Sequence, residues 1–429
     1  MKMLSKILFF ILMGMLFIPM IQQFTHFSNV KKLNGSIKKI EFPAFNSESW
    51  FSESFQSQFE KYLAQDFGFA NSFIRLENQI QFSLFNVARA NGVIVGKENY
   101  LYEKSYIDAY YGNDFLGKEV IEEQFTKLKK LQDTLLYYNT KILIVYAPGK
   151  ASFYPEFIPD NLREERKVTN LEYSLKMADS LDINHINLSK WFINMKDTSR
   201  YCLYPKTGIH YSFYGARLVV DTIINYCRDN YDFKLPDISW GEIKLNSKLK
   251  NTDRDIERGM NIIFDVDNFA MPYQDIKIGK QKESTPSMIV IGDSYYWQLH
   301  NMSMTTRIFR NGEFWYYNKQ VYPKRNNKDT RVKELNLKKE ILNHDLIMLL
   351  TTEPVLKRKY WDFIDNAYNA FFNPSNEDFQ KEIEEQANKI RKNKTLMKSI
   401  EEKAAKRNIS IDSMLMMDAE YILKYNDKN

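Results

Sequence analysis

A serine follows a short apolar run in the segment SMIVIGDSYYWQLH, residues 287–300. The run SMIVIG is typical of a buried strand, and Gly292-Asp293-Ser294 predicts a sharp turn into a helix. At the carboxyl end of a parallel strand, Ser294 would face the crevice where α/β sheets bind ligands. It could act there as a nucleophile, with backbone N–H groups of the next helical turn stabilising an oxyanion. The alternative is an ordinary turn in which Asp293 or Ser294 caps the helix.

A serine hydroxyl needs a base to take its proton, and five histidines are available. His210 ends the loop YPKTGIH (204–210), just before a predicted helix, and loops carry chemistry more often than strands do. The remaining histidines lie beside the apolar N-terminus, on or beside strands, or off the helical face of Ser294: His26, His185, His344 and His300. His210 is therefore the candidate base, while helix N-terminal packing remains its alternative interpretation.

The composition excludes some classes of function. The net charge of +6 is spread over 429 residues without a basic face, so we expect no nucleic-acid partner. CxxC and HxxxH spacings are missing from the sequence, so we expect no metal site and no cofactor. Aromatic residues make up 15%, which suits a surface that stacks on sugars, although core packing explains most such rings. Cys202 and Cys227 could form a disulfide or remain two buried thiols.

The N-terminus carries a targeting signal. Lys2 and Lys6 precede an apolar run from residue 7 to residue 21, a pattern that keeps the N-terminus in the cytoplasm and exports the rest. The run is shorter than the roughly 20 residues of a comfortable membrane span, so a cleaved signal peptide is the alternative. Residues 24–27 (FTHF) offer no small-residue cleavage site, which favours an uncleaved anchor.

Helical and strand patterns alternate from residue 118 onward, which predicts an α/β fold with a parallel sheet. The predicted strands are 141–148, 185–189, 287–292 and 345–352; the predicted helices are about 121–135, 170–181, 214 onward, 331–343 and 356–371. The polar stretch 229–284 is interpreted as an insertion with one strand-like segment, NIIFDV (261–266). Upstream, two helices are expected around Asp66-Phe67-Gly68, and a hairpin over 93–105.

These patterns predict four parts: a membrane anchor or signal segment (1–30), helices and a hairpin packed on the main domain (41–110), the α/β domain (111–372) and a helical extension (373–429). The extension consists of helix formers, and Ser375 and Ser410 are predicted to cap two of its helices.

Four segments resemble the SGNH-hydrolase-like proteins of polysaccharide O-acetylation, typified by the periplasmic alginate O-acetyltransferases. They are GKENYLY (96–102), YAPGKASFYPEFIP (146–159), TGIHYSFYGA (207–216) and VIGDSYYW (290–297). The resemblance covers about residues 45–370, and the order along the chain, with histidine before serine, also agrees. It implies a three-layer α/β fold with Ser294 as nucleophile and His210 as its base.

The resemblance also implies partners and a location. The acetyl group would come from a multi-spanning membrane O-acyltransferase, and the acceptor would be a hydroxyl of an exopolysaccharide. The protein would be periplasmic or otherwise extracytoplasmic, held at the inner membrane by one N-terminal helix. Residues expected to contact substrate are Tyr211, Tyr295, Tyr296 and Trp297 as stacking surfaces, and Lys150; core packing and a solvated lysine are their alternatives.

One position departs from the family pattern. The family's acid stands two residues before the histidine, where this chain has Gly208. Another carboxylate could substitute in space, Ser294 and His210 could work as a dyad, or the site could have lost its chemistry. The acids nearest to the motifs are Asp182, Asp221, Asp293 and Glu353. The expected function is O-acetyl transfer, with an esterase of the same fold or a non-catalytic glycan-binding scaffold as alternatives.

Overall fold

The computed structural model describes residues 2–35, 40–373, 376–407 and 409–426. The helices are α1 Lys2–Thr25, α2 Ser47–Phe51, α3 Ser54–Asp66, α4 Ala70–Phe85, α5 Lys104–Tyr111, α6 Lys118–Tyr137, α7 Lys150–Phe153, α8 Asn170–Ser180, α9 Leu188–Met195, α10 Phe213–Tyr231, α11 Asp255–Met260, α12 Tyr296–Asn301, α13 Leu337–Leu342, α14 Phe363–Phe372, α15 Asn376–Lys392, α16 Lys394–Arg407 and α17 Ile411–Asn426. The strands are β1 Val93–Val95, β2 Leu101–Glu103, β3 Lys141–Ala147, β4 His185–Asn187, β5 Ile238–Trp240, β6 Lys244–Asn246, β7 Met271–Tyr273, β8 Ile276–Ile278, β9 Ser287–Gly292, β10 Arg310–Tyr316, β11 Gln320–Tyr322 and β12 Leu346–Thr352.

A six-stranded sheet with the order β11-β10-β9-β12-β3-β4 forms the centre. Neighbouring strands pair in parallel from β10 to β4, and β11 pairs antiparallel with β10 at the edge. All residues of β9 and β12 are buried, as expected for apolar strands that are covered on both faces. The α/β fold with a parallel-rich sheet is therefore confirmed, and the carboxyl ends of β9, β12 and β3 meet at one edge.

Two hydrophobic clusters lie on the two faces of the sheet and make a three-layer sandwich. One cluster contains residues of α5, α9, α10 and α12, and the other contains residues of α6, α8, α13 and α14. On α6 the predicted apolar face is buried, because its members recur at helical spacing: Ile121, Phe125, Leu128, Leu131 and Leu135. The sheet edge that carries the motifs is thus held between two packed layers.

Several element predictions are confirmed and some are wrong. The hairpin over 93–105 forms as β1–β2, and α3 and α4 flank the break at residues 66–68. NIIFDV is not a strand, because the backbone N–H groups of Ile263 and Phe264 are bonded to the side-chain oxygen of Gln79 instead of a neighbouring strand. The predicted helix 356–371 begins later, at Phe363, because residues 359–362 have φ of 48–59°, in the left-handed region, which interrupts a right-handed helix.

The C-terminal residues form three helices with a small core of their own, which includes Ile383, Ile390 and Leu415. An ion pair of 2.5 Å between Lys339 and Glu385 links α13 to α15. Ser410 caps α17 by accepting a hydrogen bond from the Ser413 N–H at 3.1 Å, as predicted. Ser375 lies outside the described residues.

At the other end, α1 includes a span of 23 residues, Met3–Thr25, whose most apolar 18-residue window has a mean hydropathy of 2.3. Its most apolar window is not buried by the rest of the protein, and its length and composition suffice to cross a membrane. The helix is longer than the apolar run at 7–21 because it continues through Gln22 and Gln23. Of the two alternatives for the cysteines, the structure has Cys202 and Cys227 as free thiols.

Candidate active site

Asp293 fixes the turn that presents Ser294 at the carboxyl end of β9. One carboxylate oxygen of Asp293 accepts a hydrogen bond from the Tyr295 N–H at 2.9 Å. The other accepts bonds from the N–H and hydroxyl of Thr352, at 2.9 and 2.7 Å. Burial raises the pKa of Asp293, and the bonds from Thr352 and Tyr295 oppose this effect. Asp293 therefore ties β9 to β12, and Ser294 is left half-buried at the rim.

His210 joins Ser294 to a carboxylate that the sequence reading missed. Its Nε2 atom lies 3.0 Å from Ser294 Oγ, and its Nδ1 atom lies 2.5 Å from Asp255 Oδ2. The Nδ1–H that donates to Asp255 leaves Nε2 as the acceptor for the serine hydroxyl. Burial lowers the pKa of His210, but the carboxylates around it, Asp255 foremost with Asp293 and Glu103, together raise the pKa above its ordinary value. The three side chains form a Ser–His–Asp relay.

Asp255 is itself held by the loop that carries the histidine. It is the first residue of α11, and its Oδ1 atom accepts bonds from the N–H groups of Ile209, at 2.9 Å, and Ile256, at 2.8 Å. The backbone of the histidine loop and the start of α11 therefore orient the same carboxylate. Of the three alternatives for the missing acid, the geometry supports substitution in space by another segment.

Of the four acids named from the sequence, Asp293 holds the serine turn and the other three lie away from His210. Asp182 lies in the turn after α8, and Asp221 accepts a bond from the Trp240 indole at 2.9 Å. Glu353 accepts bonds from the Gly149 N–H at 3.3 Å and the Ser189 hydroxyl at 3.0 Å. Asp255 was missed because it follows His210 by 45 residues, inside the stretch interpreted as an insertion. Its only local signal is a helix start, which does not indicate a catalytic role.

Close packing explains why position 208 carries no acid. A Cβ atom on Gly208 would lie 2.1 Å from the carbonyl oxygen of Thr252 and 2.8 Å from the carbonyl carbon of Asp253. The segment that delivers Asp255 thus occupies the space that any side chain at position 208 would need. One packing arrangement therefore explains both why position 208 is a glycine and why the acid comes from position 255.

Lys150 lies beneath the histidine loop rather than in a substrate site. Its side chain is fully buried, and Nζ donates to the carbonyl oxygens of Lys206 at 2.8 Å and Gly208 at 2.6 Å. Burial lowers the pKa of Lys150 to about 7. The substrate contact predicted for Lys150 does not fit this burial; the side chain instead supports the loop that ends in His210.

Three of the predicted stacking residues are also fully buried: Tyr211, Tyr295 and Tyr296. The Tyr211 hydroxyl donates to the Tyr295 carbonyl at 3.0 Å, and the Tyr295 hydroxyl donates to the Ile209 carbonyl at 2.5 Å. These bonds cross-link the histidine loop to the serine turn. With no ring face open to a ligand, the stacking role predicted for the three tyrosines does not fit the structure.

Trp297 remains half-exposed, and it borders a cavity of about 810 Å³. The cavity begins one helical turn beyond Ser294 and lies between α12 and the short strands of the 240–276 stretch. Its wall combines aromatic faces with polar groups, among them Phe213, Tyr273, Asp253, Gln274 and Gln298. Burial raises the pKa of Asp253 to about 7, opposed by a hydrogen bond from the Tyr273 hydroxyl. Mixed aromatic and hydrogen-bonding walls suit a polyhydroxylated ligand.

Tyr317 is a further residue at the rim that the sequence reading did not single out. It follows β10, adjacent to β9, in the left-handed region at φ 51°. Its side chain interacts with Ser294, and burial raises its pKa. Among the described residues, no group of three His, Cys, Asp or Glu side chains could hold a metal ion.

A three-layer α/β sandwich with a Ser–His–Asp relay at the carboxyl edge of its sheet defines a class, that of the serine-dependent acyl hydrolases and acyltransferases. Within this class, residues 93–237 match the model of a family described as "SGNH hydrolase-like domain, acetyltransferase AlgX". The match confirms the resemblance inferred from the motifs. It includes His210 and ends before Asp255 and Ser294.

Solved structures of three similar proteins accompany this match. The O-acetyltransferase domain of Pseudomonas putida AlgJ is 12% identical, with a TM-score of 0.44 over 65% of this chain and 99% of that chain. Pseudomonas aeruginosa AlgX is 11% identical, with a TM-score of 0.41 over 64% and 67%. Bacillus cereus PatB1 with a sulfonyl adduct is 12% identical, with a TM-score of 0.41 over 65% and 99%. No curated protein matches the chain by sequence.

Proposed function

We propose that this protein is an O-acetyltransferase that moves an acetyl group, through an ester on Ser294, to hydroxyls of an extracytoplasmic polysaccharide. The observation that carries the proposal is the relay of Ser294, His210 and Asp255, with separations of 3.0 and 2.5 Å. The family match to an acetyltransferase domain supports the choice of acyl group.

The first half-reaction loads the serine. His210 Nε2 takes the proton of Ser294 Oγ while that oxygen attacks the acetyl carbonyl of the donor, and the backbone N–H of Ser294 stabilises the oxyanion. A donor of this kind contributes about 3 kcal/mol in comparable sites. Asp255 stabilises the imidazolium, which then returns the proton to the leaving group. Acetyl-Ser294 and the deacylated donor result.

The second half-reaction transfers the acetyl group from Ser294 to the acceptor. A glycan hydroxyl gives its proton to His210 and attacks acetyl-Ser294; the tetrahedral intermediate collapses, and Ser294 Oγ leaves with the proton held by His210. Transfer outcompetes hydrolysis when the acceptor displaces water from the acyl-enzyme. The cavity beside Trp297 is the acceptor site in this proposal, because its walls are aromatic and polar and Trp297 lies three residues after the nucleophile.

The proposed location rests on reading α1 as an anchor. As an uncleaved anchor it holds the catalytic domain outside the cytoplasm, where acetyl-CoA is not available. A multi-spanning membrane O-acyltransferase is therefore the proposed acetyl donor, and the compartment is the periplasm or its equivalent. The apolar span of 23 residues supports this location.

The test replaces Ser294 in the cell. Ser294→Ala is expected to abolish acetylation of the polysaccharide, measured as ester-bound acetate per sugar residue, because it removes the hydroxyl that His210 activates. Ser180→Ala, at an exposed serine at the end of α8, is the matched control and should leave acetylation unchanged. Acetylation that persists in Ser294→Ala would overturn the proposal.

A further inference from the structure

The helix α4 is amphipathic in an unusual direction, because the polar side chains of one face contact the protein, while Glu77 on the outer face forms an exposed ion pair with Arg89 at 3.4 Å. Asn78 donates to the Met260 carbonyl at 2.8 Å, and Arg75 donates to the Lys32 carbonyl at 2.8 Å. The Gln79 side-chain oxygen accepts bonds from the Ile263 and Phe264 N–H groups at 3.0 and 2.9 Å. The packing of α4 on the 260–264 loop thus uses hydrogen bonds, and apolar residues occupy its outer face.

The outer face of α4 carries a continuous apolar stripe. Its members recur every third or fourth residue and are 43–73% exposed: Phe73, Leu76, Ile80 and Leu84. The tip of the neighbouring loop adds Ile263 and Phe264, which are 46% and 70% exposed. We call these six residues the apolar collar. A patch of this extent on one face is unusual for a surface that meets only water, and it marks an interaction site.

The collar adjoins the apolar helix α1. A Cβ atom on Gly68, in the turn between α3 and α4, would lie 2.0 Å from the Pro19 carbonyl oxygen and 2.8 Å from the Gln23 N atom. The rings of Phe27 and Phe69 meet edge to face at 5.8 Å. The α3–α4 turn therefore abuts the last two turns of α1, where that helix would leave the bilayer.

Exposed aromatic rings continue the same surface along α2 and α3. Phe55 stacks on Phe59 at 5.5 Å and contacts Phe45 and Trp50, at 5.1 and 6.1 Å. Phe45 and Trp50 are 67% and 46% exposed. Aromatic side chains are favoured at the boundary between lipid headgroups and acyl chains. These rings lie on α2 and α3, the helices that precede the α3–α4 turn.

We infer that the apolar collar lies in the headgroup–acyl boundary of the bilayer that α1 crosses, with lipid as its occupant. The inference rests on the anchor in the proposed function. Continuity with α1 favours lipid over a protein partner, because α4 begins at the turn that contacts the last two turns of α1. An amphipathic helix in this orientation buries its apolar face at the boundary.

This placement determines how far the active site lies from the membrane surface. The collar tip at Ile263–Phe264 follows α11, and the first residue of α11 is Asp255. Six helical residues span about 9 Å at 1.5 Å per residue. The catalytic relay therefore lies within a short distance of the membrane surface, on the side from which a membrane-bound acyl donor would approach.

Nitroxide labels on the full-length chain test the inference. Ile80→Cys and Leu84→Cys are made with Cys202→Ala, while the fully buried Cys227 stays in place. The labelled proteins are inserted into vesicles of phosphatidylethanolamine and phosphatidylglycerol, and relaxation by oxygen is compared with relaxation by a water-soluble nickel chelate. Phe10→Cys on α1 and Leu136→Cys on α6, 54% exposed in the native chain, are the lipid and water controls.

Labels at positions 80 and 84 are expected to respond to oxygen at least fivefold more strongly, relative to nickel, than the label at 136. If they resemble the label at 136 while position 10 reports lipid, the inference is wrong and the anchor stands. A water-exposed label at position 10 would refute the anchor and the inference together. Labels at 80 and 84 that neither reagent reaches would show a protein contact and also overturn the inference.

Discussion

Two opposing effects act on the pKa of His210. Burial lowers it, and Asp255 raises it. A base must be neutral at Nε2, so activity should fall as the pH drops through the raised pKa. Asp255→Asn removes the largest of the raising effects, so the acid limb of kcat/KM should shift to lower pH. Turnover should also fall by about 10⁴, as when the aspartate of a comparable triad is lost.

The pH profile of acetyl release from p-nitrophenyl acetate measures both changes. Asp265→Asn is the control, since Asp265 lies in the same segment but forms an exposed ion pair with Arg254. An acid limb that stays in place in Asp255→Asn would show that Asp255 does not govern the protonation of His210.

Lys150 is a positioning residue in this account. Lys150→Met keeps about the same side-chain volume but removes the Nζ donor from the Gly208 carbonyl and one of the two donors from the Lys206 carbonyl, which also accepts from the Leu101 N–H at 3.0 Å. We expect the free energy of unfolding to fall by about 1–3 kcal/mol and kcat to fall with little change in KM. Thermal denaturation and steady-state kinetics measure these effects, with Lys104→Met at an exposed ion pair as the control. A raised KM with unchanged stability would instead indicate substrate contact.

At the scale of elements, the close packing of the histidine loop on the 251–260 segment determines which residues can form the site. Gly208→Ala should lower the free energy of unfolding by about 1–3 kcal/mol, because its Cβ would overlap the Thr252 carbonyl. Gly259→Ala is the matched control, since a Cβ there meets no atom within 4 Å. Equal stabilities of the two variants, measured by denaturant unfolding, would contradict this packing.

The same packing predicts a failed rescue. The double variant Gly208→Asp with Asp255→Asn places an aspartate at the family's position. It should not restore activity, because the new side chain overlaps the segment at Thr252 and Asp253 and displaces it. Hydrolysis of p-nitrophenyl acetate measures the outcome. Activity above that of Asp255→Asn alone would show that position 208 can accept an acid.

The sequence predicted the elements with strong periodicity and the two residues with recognisable motifs. The strands at 141–147, 287–292 and 346–352 are apolar runs, and the order of the motifs indicated Ser294 and His210. Asp255 could not be predicted, because its role depends on the packing of a distant segment against Gly208. The burial of Lys150 and Tyr295 also depends on tertiary contacts, which cannot be read from the residue type at one position.

At the scale of the molecule, the C-terminal helices form a separate small core, while α14 belongs to the core of the sheet. A chain ending after Phe372 should therefore retain labelling of Ser294 by a fluorophosphonate probe and lose little thermal stability. A chain ending after Asp362, which lacks Phe363 and Ile364, should fail to fold. Loss of Ser294 labelling in the chain that ends after Phe372 would show that the helical extension supports the active site.

The central claim is that the relay delivers an acetyl group to Ser294. Its most direct test is mass spectrometry of tryptic peptides from the full-length protein after brief incubation with p-nitrophenyl acetate. The account predicts one added acetyl group on Ser294, and none on Ser287 of the same segment, in the wild type. It predicts none in Ser294→Ala and slower loading in Asp255→Asn. An acetyl group on another residue, or loading of Ser294 that does not depend on Asp255, would contradict the account.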